Sequence, residues 1–277
     1  MRTKFLPLLA VGIALLCSTA CEKLKARDEL NKGVQAFKSS KFPEAAEHFT
    51  NAINYDPTYP TSRLYLAMSY LSQWIPGAIS DENTQMAAKA NEQFLKVLEQ
   101  NPKETVAIAS IASMYFNQKK LDEAKEWYTK LLNVDPNDKS AYYTMGVIAW
   151  TKTFPKRMEA RNKLSMKPED PGPLKDKKVR AEVREKNLAI VEEGLKNLQK
   201  AIDVDKEYDD AMAYMNLLYR ERADLSDTTE EYKKDIASAD SWVDKTLETK
   251  KIKNERAQKT QGGVIIEEKK PEDEKKK

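Results

Sequence analysis

Few residues in this chain are scarce enough to mark a reactive centre. There is one histidine, His48, and there are two cysteines, Cys17 and Cys21. A lone imidazole could act as the base of a Ser-His-Asp relay, but no Gly-x-Ser-x-Gly elbow accompanies it. One histidine also falls short of the His sets of most catalytic zinc sites. The 8 glycines form neither the Gly-x-Gly-x-x-Gly nor the Gly-x-x-x-x-Gly-Lys string that cradles phosphates. Asp and Glu number 44 against 47 Lys and Arg, a net charge of +3 that does not describe a strongly basic nucleic-acid binder. The acids stand beside lysines along the chain, the usual pattern of solvated helix faces. His48, between Glu47 and Phe49, reads as a surface residue. No catalytic residue, metal site or cofactor is expected, and an enzyme is the least favoured reading.

Cys21 carries more information. Arg2 and Lys4 precede a nearly unbroken apolar run from Phe5 to Leu16, and Ser18-Thr19-Ala20 supplies small residues just before Cys21. The run is about a dozen residues where a membrane span needs roughly 20, so residues 1–20 read as a signal peptide for export. A bacterial lipoprotein signal ends in small residues followed directly by a cysteine that is then acylated. Ser18 stands where such signals usually carry a branched apolar residue, and ordinary cleavage after Ala20 is the alternative. Cys17 lies in the removed segment, which leaves Cys21 a lone thiol in an oxidising compartment unless it is modified. Lipidation at Cys21 is therefore the preferred expectation, with residues 21–25 as a tether to a membrane and a soluble periplasmic or secreted chain as the alternative.

Beyond the signal, the chain repeats itself. Ala52-Ile53-Asn54-Tyr55-Asp56-Pro57, Val97-Leu98-Glu99-Gln100-Asn101-Pro102 and Leu131-Leu132-Asn133-Val134-Asp135-Pro136 end alike, and Ala201-Ile202-Asp203-Val204-Asp205 keeps the ending without the proline. The ends are spaced 45, 34 and 70 residues apart, a bare 34-residue period and two periods enlarged by insertions. Within each unit apolar and small residues recur at i, i+3/i+4 and i+7, the spacing of amphipathic helices, and no alternating run suggests a sheet.

These residues resemble the tetratricopeptide repeat, a pair of antiparallel helices. Gly33, Phe42, Ala45, Phe49, Ala52 and Pro57 fill the pattern in the first unit, and Ala112, Tyr115, Leu121, Ala124, Tyr128 and Pro136 in the third. Ala67, Tyr70, Ala90, Phe94 and Pro102 fit the second. The fourth unit opens on Tyr142, Gly146 and Ala149, and a divergent fifth opens at Ala211. The resemblance implies an all-α right-handed solenoid of about five pairs over 26–250, divided 26–59, 60–103, 104–137, 138–207 and 208–250. Loops are expected near 72–81 and 151–184. The second holds Pro155, Pro168, Pro171 and Pro173, with 12 Lys/Arg against 6 Asp/Glu between 151 and 186. It reads as a solvated, mobile loop, or as a basic arm for an anionic surface. The tail 251–277, with Val264-Ile265-Ile266 as its apolar triplet, reads as a disordered polyampholyte.

Proteins with this repeat generally act through the concave face lined by the first helix of each pair. A stripe on that helix runs Leu30, Val34, Phe37 in the first unit and Leu64, Met68, Leu71 in the second. Phe116 follows in the third, Tyr143, Val147, Trp150 in the fourth and Arg220 in the fifth. The resemblance implies a non-catalytic adaptor in a bacterial cell envelope, with a protein or peptide partner on this groove and no nucleic acid. Phe116, Tyr143 and Trp150 are the expected contacts, since aromatics dominate interface hot spots. A periplasmic binder of an apolar or lipid-like small molecule is the alternative. Lys, Arg and Asn are largely missing from the stripe, which argues against clamping a C-terminal carboxylate.

Overall fold

The computed structural model describes residues 6–261, which form ten helices and no strand. In chain order they are α1 (Leu6–Lys38), α2 (Phe42–Tyr55), α3 (Pro60–Gln73), α4 (Asp81–Gln100), α5 (Thr105–Asn117), α6 (Leu121–Val134), α7 (Lys139–Lys163), α8 (Lys177–Val204), α9 (Asp209–Asp224) and α10 (Thr229–Gln261). The chain forms two compact units. Met1–Asn137 contains the pairs α1–α2, α3–α4 and α5–α6, and Asp138–Lys277 contains α7–α8 and α9–α10. The fold is all-α and of the tetratricopeptide type.

The repeated Asp/Asn-Pro ending has a local cause. At Asp56, Asn101, Asp135 and Asp205 the cap backbone N–H donates to the carbonyl four residues back, at 2.8 to 3.0 Å. Each side chain then accepts the N–H two residues on, from Thr58 (3.0 Å), Lys103 (3.2 Å), Asn137 (3.0 Å) and Glu207 (2.9 Å). This Asx turn satisfies backbone groups that a helix end would orphan, and it redirects the chain into the next pair. Asp205 makes it with Lys206 in place of proline, so the side-chain oxygen of Asp or Asn, not the proline ring, is the common element.

A different device ends α1, α5 and α7. Ser40, Lys119 and Ser165 adopt left-handed backbone, with φ of 58, 61 and 53°. Each turn closes with the same bonds, Lys41 N–H to Ala36 O (3.0 Å), Lys120 N–H to Tyr115 O (2.9 Å) and Met166 N–H to Arg161 O (2.9 Å). This is the Schellman geometry, built without the glycine that usually supplies it.

Within pairs, small residues let helices approach closely. A Cβ added at Gly33 would lie 2.6 Å from the Phe49 ring, and one at Gly146 would lie 2.4 Å from Leu198. Ala67 and Ala112 are likewise fully buried, as are Phe49, Phe94 and Leu198. The cores are separate clusters around Phe49, around Phe94 and Ile111, and around Leu198 and Leu218.

Three expectations change. Helix α1 runs without a break through 21–25, so that stretch is helical rather than a separate tether. Helix α7 continues through Pro155 to Lys163 and α8 starts at Lys177, so only 164–176 of the expected 151–184 loop is non-helical. That remainder is anchored rather than freely solvated, since Met166 and Leu174 are buried against Ala160. Helix α10 reaches Gln261, so the first eleven residues of the expected tail, 251–261, are helical, with Lys253 and Arg256 paired to Asp209 and Glu207 beside the start of α9. The n-region and the Val264-Ile265-Ile266 triplet lie outside the described residues. No described helix is long and apolar enough to cross a membrane.

Candidate functional site

The residues of the expected stripe have different fates. In the first unit Leu30 is 9% exposed and belongs to the Phe49 core. Val34 and Phe37 pack against the same core, and the Phe37 ring meets Phe42 at 5.3 Å and Tyr65 at 6.0 Å. Leu64, Met68 and Leu71 back the Phe94 core, each partly exposed. Phe116 is partly exposed at the end of α5, with the Lys119 ammonium 5.8 Å above its ring. In the second unit Val147 is 8% exposed. Leu30 and Val147 are thus core residues: the stripe is wide enough that one edge of it turns into the helix pair.

What remains is densest in the second unit. Tyr143 and Trp150, two turns apart on α7, both meet the Tyr214 ring of α9 edge-on, at 5.6 Å and 84° and at 5.8 Å and 86°. Tyr208 packs on Tyr143 at 5.3 Å and Phe154 stacks on Trp150 at 4.8 Å. Five rings therefore share one partly exposed face, each fixed by a neighbour, and edge-on contact suits their quadrupoles. Burial pushes the Tyr143 hydroxyl up to about 12, with Tyr214 and Asp210 adding to the effect, so it stays a proton donor near neutral pH. Arg220 joins this unit through Asn216 at 2.8 Å and Asp240 at 2.6 Å, so its guanidinium is engaged rather than extended toward a ligand. Tyr208 and Tyr214 were not in the expected stripe. Tyr214 was visible only as one aromatic in a short apolar run.

A buried charge cluster beside this face was also missed. Arg157 donates to Glu221 (2.7 Å) and Asp224 (2.8 Å), and Arg161 binds both oxygens of Asp224 at 2.6 and 2.8 Å. Arg161, Glu221 and Asp224 are 1 to 3% exposed. Arg161 also donates to the carbonyls of Lys167 and Asp170, and Leu174 N–H to Asp224 O (3.0 Å), which ties 164–176 to the end of α9. Burial pushes the Glu221 carboxyl up to about 7, against the pull of Arg157 and Arg161 and with the help of Asp224. Burial opposes the charge of Arg157, but Glu221 and Asp224 together raise it above its ordinary value. The pairs at i, i+4 on α7 and i, i+3 on α9 were readable as spacings, but nothing in the sequence said that they face each other.

His48, on α2, reaches across to α1, its Nδ1 2.8 Å from Glu29 Oε2. That contact, ahead of smaller contributions from Lys32 and Asn51, holds the Glu29 carboxyl below its usual range despite some burial. The histidine ties two helices together, and among the described residues no group of three His, Cys, Asp or Glu is placed to hold a metal.

Helix pairs joined by Asx turns, with small residues where the helices approach, define an all-α fold of tetratricopeptide type. Solved structures show the same architecture. A crystal structure of the MamA protein superposes with a TM-score of 0.55 at 13% identity, covering 83% of this chain and 94% of that one. MamA from Desulfovibrio magneticus RS-1 gives 0.54 at 16% identity, covering 82% and 96%. YrrB, described as a TPR protein with an unusual peptide-binding site, gives 0.51 at 12%, covering 80% and 84%. At these identities the likeness is one of fold. No protein-family model and no curated protein matches the chain.

Proposed function

We propose that this protein is a non-catalytic adaptor that holds another protein or a peptide on the aromatic face of its second unit. One observation carries the reading: Tyr143 and Trp150 on α7, Tyr214 on α9 and Tyr208 just before α9 form a pre-set, partly exposed ring cluster. Rings already locked by neighbours lose little side-chain entropy on binding, which makes them efficient anchors. The peptide-binding site of YrrB, a protein of the same fold, supports a peptide or protein as the occupant.

The adaptor works in a bacterial cell envelope, exported by residues 1–20 and anchored through an acylated Cys21. What supports this is the layout of Arg2, Lys4, the apolar run and Ser18-Thr19-Ala20 before an exposed Cys21. Several acyl chains give stable anchoring where one is marginal. Intact-mass measurement of the mature protein separates the possibilities. A chain that starts at Cys21 with the added mass of a diacylglyceryl group supports the anchor, and an unmodified N-terminus removes it. The adaptor role is tested by crosslinking in cells that carry the native signal, with the wild type beside Tyr143→Ala/Trp150→Ala, two rings of the second unit. A protein captured by the wild type and lost from the double variant supports it. Capture that ignores these rings removes it.

A further inference from the structure

We propose that a cleft in the first unit, between α4, the α3–α4 connection and the end of α5, is a second docking site, for an acidic peptide with an apolar anchor. The cleft has a volume of about 620 Å³, within the usual range for ligand sites, and none of its lining residues belongs to the inner-face stripe.

Its floor is apolar: Met114 and Ala87, 2 and 9% exposed. Trp74 and Tyr115 line it too, and Ile79 stands fully exposed at its edge, held there by the turn through Gly77. Ile75, 64% exposed, lies in the same connection, and exposed apolar side chains beside an open apolar cleft suit an apolar side chain entering from outside.

The charge is one-sided. Lys119 and Lys120 lie side by side on the rim, and the lining contains no Asp or Glu. Left-handed backbone at Lys119 forms the turn that brings both lysines to the rim. The Lys120 ammonium lies 5.7 Å from the ring of Tyr115, itself a lining residue, and the Lys119 ammonium lies 5.8 Å from the neighbouring Phe116 ring. Two exposed cations on the rim, with no acid in the lining itself, favour carboxylates there. Most of the remaining polar side chains of the lining are amides, Asn83, Asn91, Asn117 and Gln118. The Asn117 side-chain N–H donates to the Ser113 carbonyl at 2.9 Å, which leaves its oxygen to accept a main-chain N–H. Amides, an apolar pocket and two cations together fit a short peptide in which acids flank one large apolar residue.

The test is fluorescence polarisation on the full chain with two labelled octapeptides, a central Leu-Phe flanked by glutamates and the same core flanked by lysines. The glutamate peptide is expected to bind saturably with Kd below about 1 mM, and the lysine peptide at least roughly tenfold more weakly. Lys119→Glu/Lys120→Glu is expected to weaken the glutamate peptide about tenfold or more. Ala88→Trp, which fills the cleft from an exposed position on α4, is expected to weaken it similarly. Trp150→Ala should leave it unchanged, which separates this site from the aromatic face. Equal affinity for both peptides, no saturable binding below about 1 mM, or indifference to the charge reversal would each overturn the proposal. So would loss of binding in Trp150→Ala, which places the peptide on the second unit. A self-associated chain that dissociates on charge reversal makes the occupant a second copy and overturns it as well.

Discussion

A methyl group added at Gly146 would stand 2.4 Å from Leu198, a fully buried side chain with no free direction to retreat. Gly146→Ala should therefore destabilise the second unit by about 1–3 kcal/mol, read as a lower midpoint in urea with an unchanged slope. An unchanged midpoint would mean that α7 and α8 do not approach this closely. Glu221 makes a second single-residue prediction. Its carboxyl lies near 7 in the folded chain against an ordinary 4.5, mainly because of burial. A raised value stabilises the fold fully below about 4.5, and that contribution is lost as pH rises through about 7. Stability should fall by roughly 1–3 kcal/mol between about pH 5 and about pH 8 from this group. Glu221→Gln should flatten the dependence over the same window, whatever its absolute stability. A variant with the wild-type slope would show that other groups carry it.

Secondary elements were legible where their signals are local. The Asx turns at Asp56, Asn101, Asp135 and Asp205 need only one acceptor side chain and the next two residues, so the repeated ending could be read directly. The left-handed turns at Ser40, Lys119 and Ser165 carry no glycine and gave no such signal. Ser40→Gly should relieve that conformation and raise stability by about 1 kcal/mol, partly offset by unfolded-state entropy. A lower stability in urea would contradict the strain. The extension of α7 past Pro155 was illegible for another reason. It depends on Arg157 and Arg161 meeting Glu221 and Asp224, more than 60 positions away in the chain. Arg161→Ala should leave Asp224 buried without its strongest partner, cost about 3–5 kcal/mol and speed amide exchange in 166–176. Unchanged exchange there would mean that the buried Met166 and Leu174 alone hold the segment.

At the scale of the whole molecule, pairing and periodicity made the fold readable, while the site was only half readable. Seven-residue spacing showed that Tyr143 and Trp150 share a face, but not that Tyr214 stands between them, nor that Leu30 and Val147 turn into the core. Which edge of a stripe stays open depends on the neighbouring pair, and no single helix encodes that. The central claim is that the aromatic face of the second unit anchors a protein partner. It is tested most directly by titration calorimetry of the full chain with the protein captured by crosslinking, comparing the wild type with Tyr143→Ala and Trp150→Ala. If these rings are anchors, each substitution should weaken binding by roughly 30-fold or more, about 2 kcal/mol, with thermal stability close to wild type. Wild-type affinity in both variants would contradict the claim and move the partner to another surface.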